Sequence, residues 1–253
     1  MSVLQANKDR HILTASIHRP GALNAINFKV MEQLEDLLDR LEKDNEIRTF
    51  ILTSAGNEVF ISGGDLKEFH GIKSAREAKL MARRMGSILK RIEKLPCWTI
   101  ASINGSTYGG GWEIMLAFDF RIASQNATFN FSQAKFYLPP GWGGLTRLTE
   151  KVGRSTALRW LAEAAEVDAD TALQHKLVDK VADPEVLGKE TEQWAHNLSK
   201  NDRDFIQTLK RGALRYSKIR WEAIEKELEP FARFWEDERH EEQVKKFLGR
   251  NNK

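Results

Sequence analysis

Two glycine-containing turns and one glutamate are the residues whose types and spacing could do chemistry. The first turn covers residues 62–65 (SGGD), and the second covers residues 109–111 (GGG), followed at once by Trp112 and Glu113. A single glycine cluster is typical of an ordinary turn that needs a positive φ. Each of these two, however, follows a β-prone run, and the second opens a predicted helix whose free amides favour negative charge. Two such amides converging on one oxygen would form an oxyanion hole, which stabilises charge developing on a carbonyl.

Glu113 is the candidate proton carrier beside the second turn. It lies in an apolar helical segment with Trp112, Ile114 and Met115. Burial there would disfavour the charged carboxylate and raise its pKa towards neutrality, which suits a general acid or base. A buried glutamate tied to a structural partner is the alternative, because perturbed carboxylates also occur in structural networks. The residue types alone leave both interpretations open.

The surrounding pattern predicts the elements that must position these groups. Asn27 is a plausible N-cap for a helix, and Ser74 with Glu77 forms a capping box for a helix that runs to about Leu95. Strands are predicted at 11–17, 48–53, 58–61, 97–103, 120–123, 127–131 and 178–181, and later helices at 186–198, 205–216 and 221–248. Strands alternate with helices early and helices fill the end, which predicts an α/β core followed by a helical carboxyl-terminal module.

Composition narrows the class of protein. The chain has 253 residues, of which 41% are hydrophobic and 30% charged, with a formal net charge of +3. Cys97 is the only cysteine, so an intrachain disulfide and a four-thiolate metal site are excluded. No apolar run is long enough to span a membrane, and residues 1–10 lack the apolar centre of a secretory signal. We therefore expect a soluble, cytoplasmic protein with no metal site.

Four segments together resemble one family. They are residues 19–25 (RPGALNA), 60–66 (FISGGDL), 109–113 (GGGWE) and 140–144 (PGWGG), the last followed by Arg147-Leu148. Their order and spacing are similar to those of the enoyl-CoA hydratase/isomerase (crotonase) superfamily. The resemblance implies a crotonase (ClpP-like) spiral of ββα units with a carboxyl-terminal helical part that forms trimers, often as a dimer of trimers. On this basis we expect residues 1–195 to form the spiral core with the active site, and residues 196–253 the module for oligomerisation.

The same resemblance implies a set of site residues for an acyl-CoA thioester. The two oxyanion amides fall on Ser62 and Gly110, and Glu113 falls on the first of the two glutamates that hydratases of the family use as general acid and base. The positions implied to bind coenzyme A or the acyl group are Ala22, Leu23, Gly63, Gly64, Asp65, Leu66, Tyr137 and Trp142. Coenzyme A enters as part of the substrate, so no separate cofactor is expected.

The chain departs from the family pattern at the second glutamate. Counting back from Pro140 places that position on Gln133. A glutamine cannot exchange a proton at neutral pH, although it can hold a water or a carboxylate by hydrogen bonds. In a hydratase, Glu113 would then both activate water and supply the carbon proton. Decarboxylation needs only a desolvated carboxylate, an oxyanion hole and a proton donor. An enoyl-CoA hydratase-like lyase or isomerase is therefore the first hypothesis, and a malonyl-type (ethylmalonyl- or methylmalonyl-) CoA decarboxylase the second.

A third hypothesis, from another class, is a non-catalytic or RNA-binding paralogue. The resemblance includes a member that binds AU-rich RNA through lysines on the helix corresponding to residues 74–95. In this chain that helix carries Arg76, Lys79, Arg83, Arg84, Lys90, Arg91 and Lys94. The small net charge and the lack of interleaved aromatic residues favour a solvated face instead. RNA is therefore not the expected partner.

Overall fold

The computed structural model describes residues 2–214 and 217–250. Its strands are β1 (Leu4–Asp9), β2 (Ile12–Ile17), β3 (Thr49–Ser54), β4 (Val59–Ile61), β5 (Trp98–Ile103), β6 (Ser106–Tyr108), β7 (Phe120–Ser124), β8 (Thr128–Asn130), β9 (Glu166–Asp168) and β10 (Lys180–Ala182). Its helices are α1 (Phe28–Lys43), α2 (Leu66–Phe69), α3 (Ala75–Lys94), α4 (Gly110–Met115), α5 (Gly144–Val152), α6 (Arg154–Ala162), α7 (Ala169–Gln174), α8 (Leu187–Leu198), α9 (Arg203–Ala213), α10 (Ser217–Trp235) and α11 (Glu238–Arg250).

A six-stranded sheet forms the centre of the fold, in the order β1-β2-β3-β5-β7-β10. β1 and β2 pair antiparallel, and the other neighbours pair parallel. Ile51 and Ile100 are buried on one face with Leu187 of α8. Phe50 and Leu52 belong to the larger core that includes the apolar side of α3. The near-continuous apolar strands therefore reflect a sheet buried on both faces.

A second sheet of four strands, β4-β6-β8-β9, positions the glycine turns. β4 and β6 are neighbours and run parallel. Their carboxyl ends therefore lie at the same edge, with residues 62–64 leaving β4 and Gly109 leaving β6. This pairing brings together two turns that are more than 40 residues apart in the chain.

Local signals locate the long helices well. The Asn27 side chain accepts from the Val30 amide at the start of α1, and the Ser74–Glu77 capping box is present at the start of α3. The segment predicted as one helix over 221–248 is instead two helices, because the chain leaves α10 after Trp235 and restarts at Glu238. Residues 215 and 216, at the end of another predicted helix, lie outside the described part of the chain.

The carboxyl-terminal helices fold back onto the core of their own chain. The Trp235 indole N–H donates to the Ile72 carbonyl at 3.2 Å, and His240 Nδ1 lies 2.7 Å from the Phe136 carbonyl oxygen. The division at residue 195 and the role of residues 196–253 in oligomerisation remain predictions. Within the described ranges, no helix is both long and apolar enough to cross a membrane.

Acidic residues of the chain neutralise much of the basic face of α3. Two of the pairs join α3 to α10, and the others join it to α1. They are Lys79–Glu229, Arg83–Glu225, Arg84–Glu35 and Arg91 with Asp39 and Glu42. These contacts agree with a paired, solvated face, and RNA binding is not tested by them.

Candidate active site

The two glycine turns touch each other at the edge of the second sheet. Gly63 has φ +104° and Gly109 has φ +48°, which side chains rarely adopt. A Cβ added to Gly63 would lie 3.0 Å from the Tyr108 carbonyl oxygen and 3.3 Å from the Gly110 nitrogen. Glycine at position 63 thus allows one loop to pack directly against the backbone of the other.

The Ser62 amide already has an acceptor within the chain. It donates a hydrogen bond to the Leu23 carbonyl at 3.2 Å. A substrate oxygen would have to share or displace this contact, and the role of Ser62 as one oxyanion amide remains a prediction. Among the hydrogen bonds of the described residues, none has the amide of Gly63, Gly64 or Gly110 as its donor. These three amides lie next to the contact between the loops and are free to bind a ligand.

The Trp142 indole packs against Gly110 and Gly64. A Cβ added to Gly110 would lie only 2.1 Å from the ring, and one added to Gly64 would lie 3.7 Å from it. Trp142 is buried, with an exposure of 5%. A ligand bound at the Gly110 amide would therefore share the space beside Gly110 with the Trp142 ring.

Glu113 is buried and held almost entirely by backbone. Its Oε2 accepts hydrogen bonds from the Trp142 and Gly144 amides at 2.8 and 2.9 Å. Its Oε1 has two longer partners, the Gly141 amide at 3.3 Å and the Gln133 side-chain amide at 3.4 Å. The two oxygens thus differ: Oε2 is firmly bound and Oε1 is loosely bound.

The environment of Glu113 makes it able to exchange a proton near neutral pH. Burial raises its pKa from 4.5 to about 7. The Trp142 amide opposes this rise by stabilising the carboxylate, whereas the negative charge of Glu227 adds to it. The expectation of a pKa raised by burial is confirmed. Both protonation states are populated at neutral pH, as a single proton-carrying group requires.

Gln133 lies against Glu113. Its side-chain nitrogen donates to Glu113 Oε1 at 3.4 Å, and its side-chain oxygen accepts from the Trp112 indole N–H at 3.2 Å. The Trp112 contact fixes which end of the amide faces Glu113, because the indole can only donate. Gln133 therefore orients Glu113 in this structure, and its predicted role at the substrate remains a prediction.

Several positions predicted to bind coenzyme A surround the first loop. Leu23 is exposed with φ +48°, and the Ala22 carbonyl accepts from the Ser62 hydroxyl at 3.5 Å. Asp65 has a structural role here, because its carboxylate pairs with Arg19 at 2.8 Å and caps the start of α2. Ligand binding by these residues remains a prediction.

Two other predicted residues face the carboxyl-terminal helices. The Tyr137 ring lies 5.2 Å from the Phe234 ring and 3.9 Å from the Arg239 guanidinium. Leu66 lines a cavity of about 100 Å³ that it shares with Trp235 and other residues of α10 and α11. Across residues 2–214 and 217–250, no cluster of three or more His, Cys, Asp or Glu side chains could hold a metal ion.

The sequence does not identify the groups that hold Glu113. The amides of residues 141, 142 and 144 belong to the PGWGG segment, yet nothing local indicates that they point at Glu113. Glu227 is one of several glutamates on α10, and only its burial distinguishes it. The apolar spacing of Ile224, Leu228 and Phe231 around it was the available signal for a buried helix face.

Comparison with known proteins identifies the family. The enoyl-CoA hydratase/isomerase family profile matches residues 7–253. The chain belongs to the enoyl-CoA hydratase/isomerase family. It is 33% identical over 194 residues to a short-chain-enoyl-CoA hydratase of Clostridium acetobutylicum, an alignment that covers 77% of this chain and 74% of the relative.

Solved structures confirm the crotonase fold. An enoyl-CoA hydratase from Bacillus anthracis superposes with a TM-score of 0.80 at 26% identity, over 87% of this chain and 90% of that one. An enoyl-CoA hydratase from Bacillus halodurans superposes with a TM-score of 0.90 at 20% identity, over 96% of this chain and 99% of that one. The predicted mixed α/β class with carboxyl-terminal helices is thus confirmed.

Proposed function

We propose that this member of the enoyl-CoA hydratase/isomerase family is a lyase that hydrates the double bond of an enoyl-CoA thioester. The observation that carries the proposal is the buried Glu113, whose pKa is raised to about 7 and which lies on the helix that starts at the second glycine turn. The short-chain-enoyl-CoA hydratase of Clostridium acetobutylicum supports the choice of reaction.

In this proposal the thioester oxygen is bound by the Gly110 amide together with an amide of residues 62–64. The Ser62 amide donates to the Leu23 carbonyl, whereas the amides of Gly63 and Gly64 have no acceptor among the described residues. Gly110 is the first residue of α4, so its N–H has no partner within that helix. Loss of one such donor typically lowers the rate by about 10² to 10³.

A single carboxylate performs both proton transfers. As the oxygen of water bonds to C3, Glu113 takes the water proton, and the C2=C3 electron pair moves towards the thioester as an enolate. Glu113 then returns a proton to C2. We assign these transfers to Oε1, because its partners at 3.3 and 3.4 Å are weaker than those of Oε2. Gln133 keeps Oε1 in place without taking part in proton exchange.

Trp142 limits the shape of the acyl group in this proposal. Its ring lies against Gly110 and Gly64, so the bound thioester must fit beside the ring or move it. We also propose, from family membership, that the protein binds acyl-CoA through the loop of residues 62–66 with Ala22 and Leu23. A homotrimer or dimer of trimers, acting in the cytoplasm, completes the proposal.

The proposal is tested by mixing the purified protein with crotonyl-CoA and following the loss of enoyl-thioester absorbance. We expect turnover by the wild type and a loss of at least about 10² in the Glu113→Gln variant, the usual scale of general acid–base catalysis. Glu225→Gln, an exposed change on α10, is the matched control and should be as active as the wild type. A near-wild-type rate in Glu113→Gln would reject the role of Glu113. Carbon dioxide release from methylmalonyl- or ethylmalonyl-CoA without hydration of crotonyl-CoA would replace the proposed reaction.

A further inference from the structure

Two carboxylates share the start of α5. Glu113 accepts from the amides of Trp142 and Gly144, as described above. Glu227, on α10, accepts from the Thr146 amide at 2.8 Å, from the Leu145 amide at 3.3 Å and from the Thr146 hydroxyl. The amides at one helix start are therefore divided between a glutamate of the core and a glutamate of the carboxyl-terminal helices.

The same face of α10 covers the loop that holds Glu113. A Cβ added to Gly141 would lie 2.3 Å from the Phe231 ring, and one added to Gly143 would lie 2.7 Å from Ile224. Ile224, Glu227 and Phe231 are spaced three and four residues apart, so they lie on one side of the helix. Because this contact leaves no free space, the loop cannot shift unless α10 shifts with it.

The charge of Glu227 is only partly compensated. It is 8% exposed, and no salt bridge of the described residues includes it. Arg147 is the nearby cation, but its guanidinium bonds Glu93 and the carbonyls of Trp142 and Gly143.

Other charged groups on α10 and α3 are engaged elsewhere. On α10 itself, Arg220 bonds Glu93 and Glu150. Two cations of α3 form exposed pairs with other glutamates of α10, as Lys79–Glu229 and Arg83–Glu225. Glu113, which is held by amides adjacent to those that Glu227 binds, is a buried group on which the charge of Glu227 acts.

We propose that Glu227 is a positioning residue for Glu113: it fixes the start of α5, and its negative charge controls how readily Glu113 gives up a proton. The proposal rests on the proposed function, in which Glu113 carries the proton. It makes the carboxyl-terminal helices part of the catalytic machinery through a contact within one chain.

The physical basis is a like-charge interaction in a buried site. The negative charge of Glu227 raises the pKa of Glu113, so neutralising Glu227 should lower the pKa of Glu113. Burial also raises the pKa of Glu227 itself, opposed by the Thr146 hydrogen bonds. At a fixed pH below the pKa of Glu113, lowering that pKa by one unit makes the ionised fraction of Glu113 about tenfold larger.

The experiment titrates Glu113 directly in the full-length protein. Glutamate side chains are labelled with ¹³C at Cδ, and the Glu113 resonance is identified by its absence from Glu113→Gln. Its midpoint is then compared in wild type, Glu227→Gln, Glu227→Asp and the exposed control Glu225→Gln. The pH profile of kcat/KM for crotonyl-CoA is measured on the same four proteins.

We expect the Glu113 midpoint to fall in Glu227→Gln, and to remain high in Glu225→Gln and in Glu227→Asp, which keeps the charge. In the pH profile of kcat/KM, the apparent pKa assigned to Glu113 should move in the same direction as the midpoint. In Glu227→Asp, kcat should fall because the shorter side chain cannot hold the start of α5. An unchanged midpoint in Glu227→Gln, or an equal fall in Glu227→Asp, would overturn the proposal.

Two further outcomes remain decisive. If Glu227→Gln does not fold, the wild-type titration is used, because coupled carboxylates show an inflection at each other's midpoint. A single-step Glu113 curve would then refute the coupling. If the wild type does not hydrate crotonyl-CoA, the proposed function fails, while the Glu113 midpoints still decide the influence of Glu227.

Discussion

Replacing Glu113 with glutamine should change how the stability of the fold depends on pH. Burial raises the pKa of Glu113 from 4.5 to about 7, so the folded state holds a proton that the unfolded state releases between these values. A group of this kind favours folding below the unfolded pKa, and the benefit is lost as pH rises through the folded pKa. At about 1.4 kcal/mol per pH unit, the loss is about 3 kcal/mol. Glutamine does not titrate, so the stability of the Glu113→Gln variant lacks this contribution to the pH dependence.

The assay is urea unfolding of wild type and Glu113→Gln at pH 4.5 and pH 8, at one fixed protein concentration. The side-chain NH₂ of glutamine would face amide donors and lack an acceptor. This lowers the free energy of unfolding of the variant by on the order of 1–3 kcal/mol at both pH values. The informative quantity is therefore the change with pH in the stability difference between variant and wild type. We expect this difference to move in favour of the variant by about 3 kcal/mol between the two pH values.

A matched control separates Glu113 from the other acids of the chain. Glu225→Gln removes an exposed carboxylate on α10 and should follow the wild-type pH dependence closely. If Glu113→Gln also follows it, Glu113 is already ionised at low pH in the folded protein. The argument that burial outweighs the three backbone amide hydrogen bonds in setting the pKa of Glu113 would then be refuted.

The remaining predictions concern the groups around Glu113. Gly144→Ala should lower crotonyl-CoA turnover by at least about 10², because the new Cβ would lie 2.5 Å from the Glu113 side chain and displace it. As a control, Gly86→Ala has open space around its new Cβ on α3. It should raise the free energy of unfolding, measured in urea, by about 0.5–1 kcal/mol. Gln133→Glu should raise the apparent pKa assigned to Glu113 in the pH profile of kcat/KM, because an acceptor replaces the donor to Oε1. A lower apparent pKa would contradict this. Trp142→Ala should lower KM for branched enoyl-CoA substrates relative to crotonyl-CoA, since the ring lies beside Gly110 and Gly64, and an unchanged preference would remove Trp142 from acyl selection.

Elements with a local signature could be predicted from the sequence. The Asn27 cap and the Ser74–Glu77 box act within three residues, so α1 and α3 begin where the pattern indicates. The sequence pattern does not predict β1, because its residues after Leu4 are exposed and, apart from Ala6, polar. It is held by backbone pairing to β2 rather than by burial, and such pairing leaves no pattern in the side chains.

For the site, the sequence determined the chemical groups: two glycine-containing turns, a glutamate in an apolar helix, and a glutamine where the family pattern has a second acid. Only the tertiary structure decided their state. The Leu23 carbonyl engages the Ser62 amide, and the loop after Pro140 holds Glu113 while α10 packs over it. These contacts join segments far apart in the chain, and strand pairing and helix packing set which amides are free and which charges meet. A linear sequence specifies the donors and acceptors of hydrogen bonds, but their partners are fixed only when the whole backbone is in place.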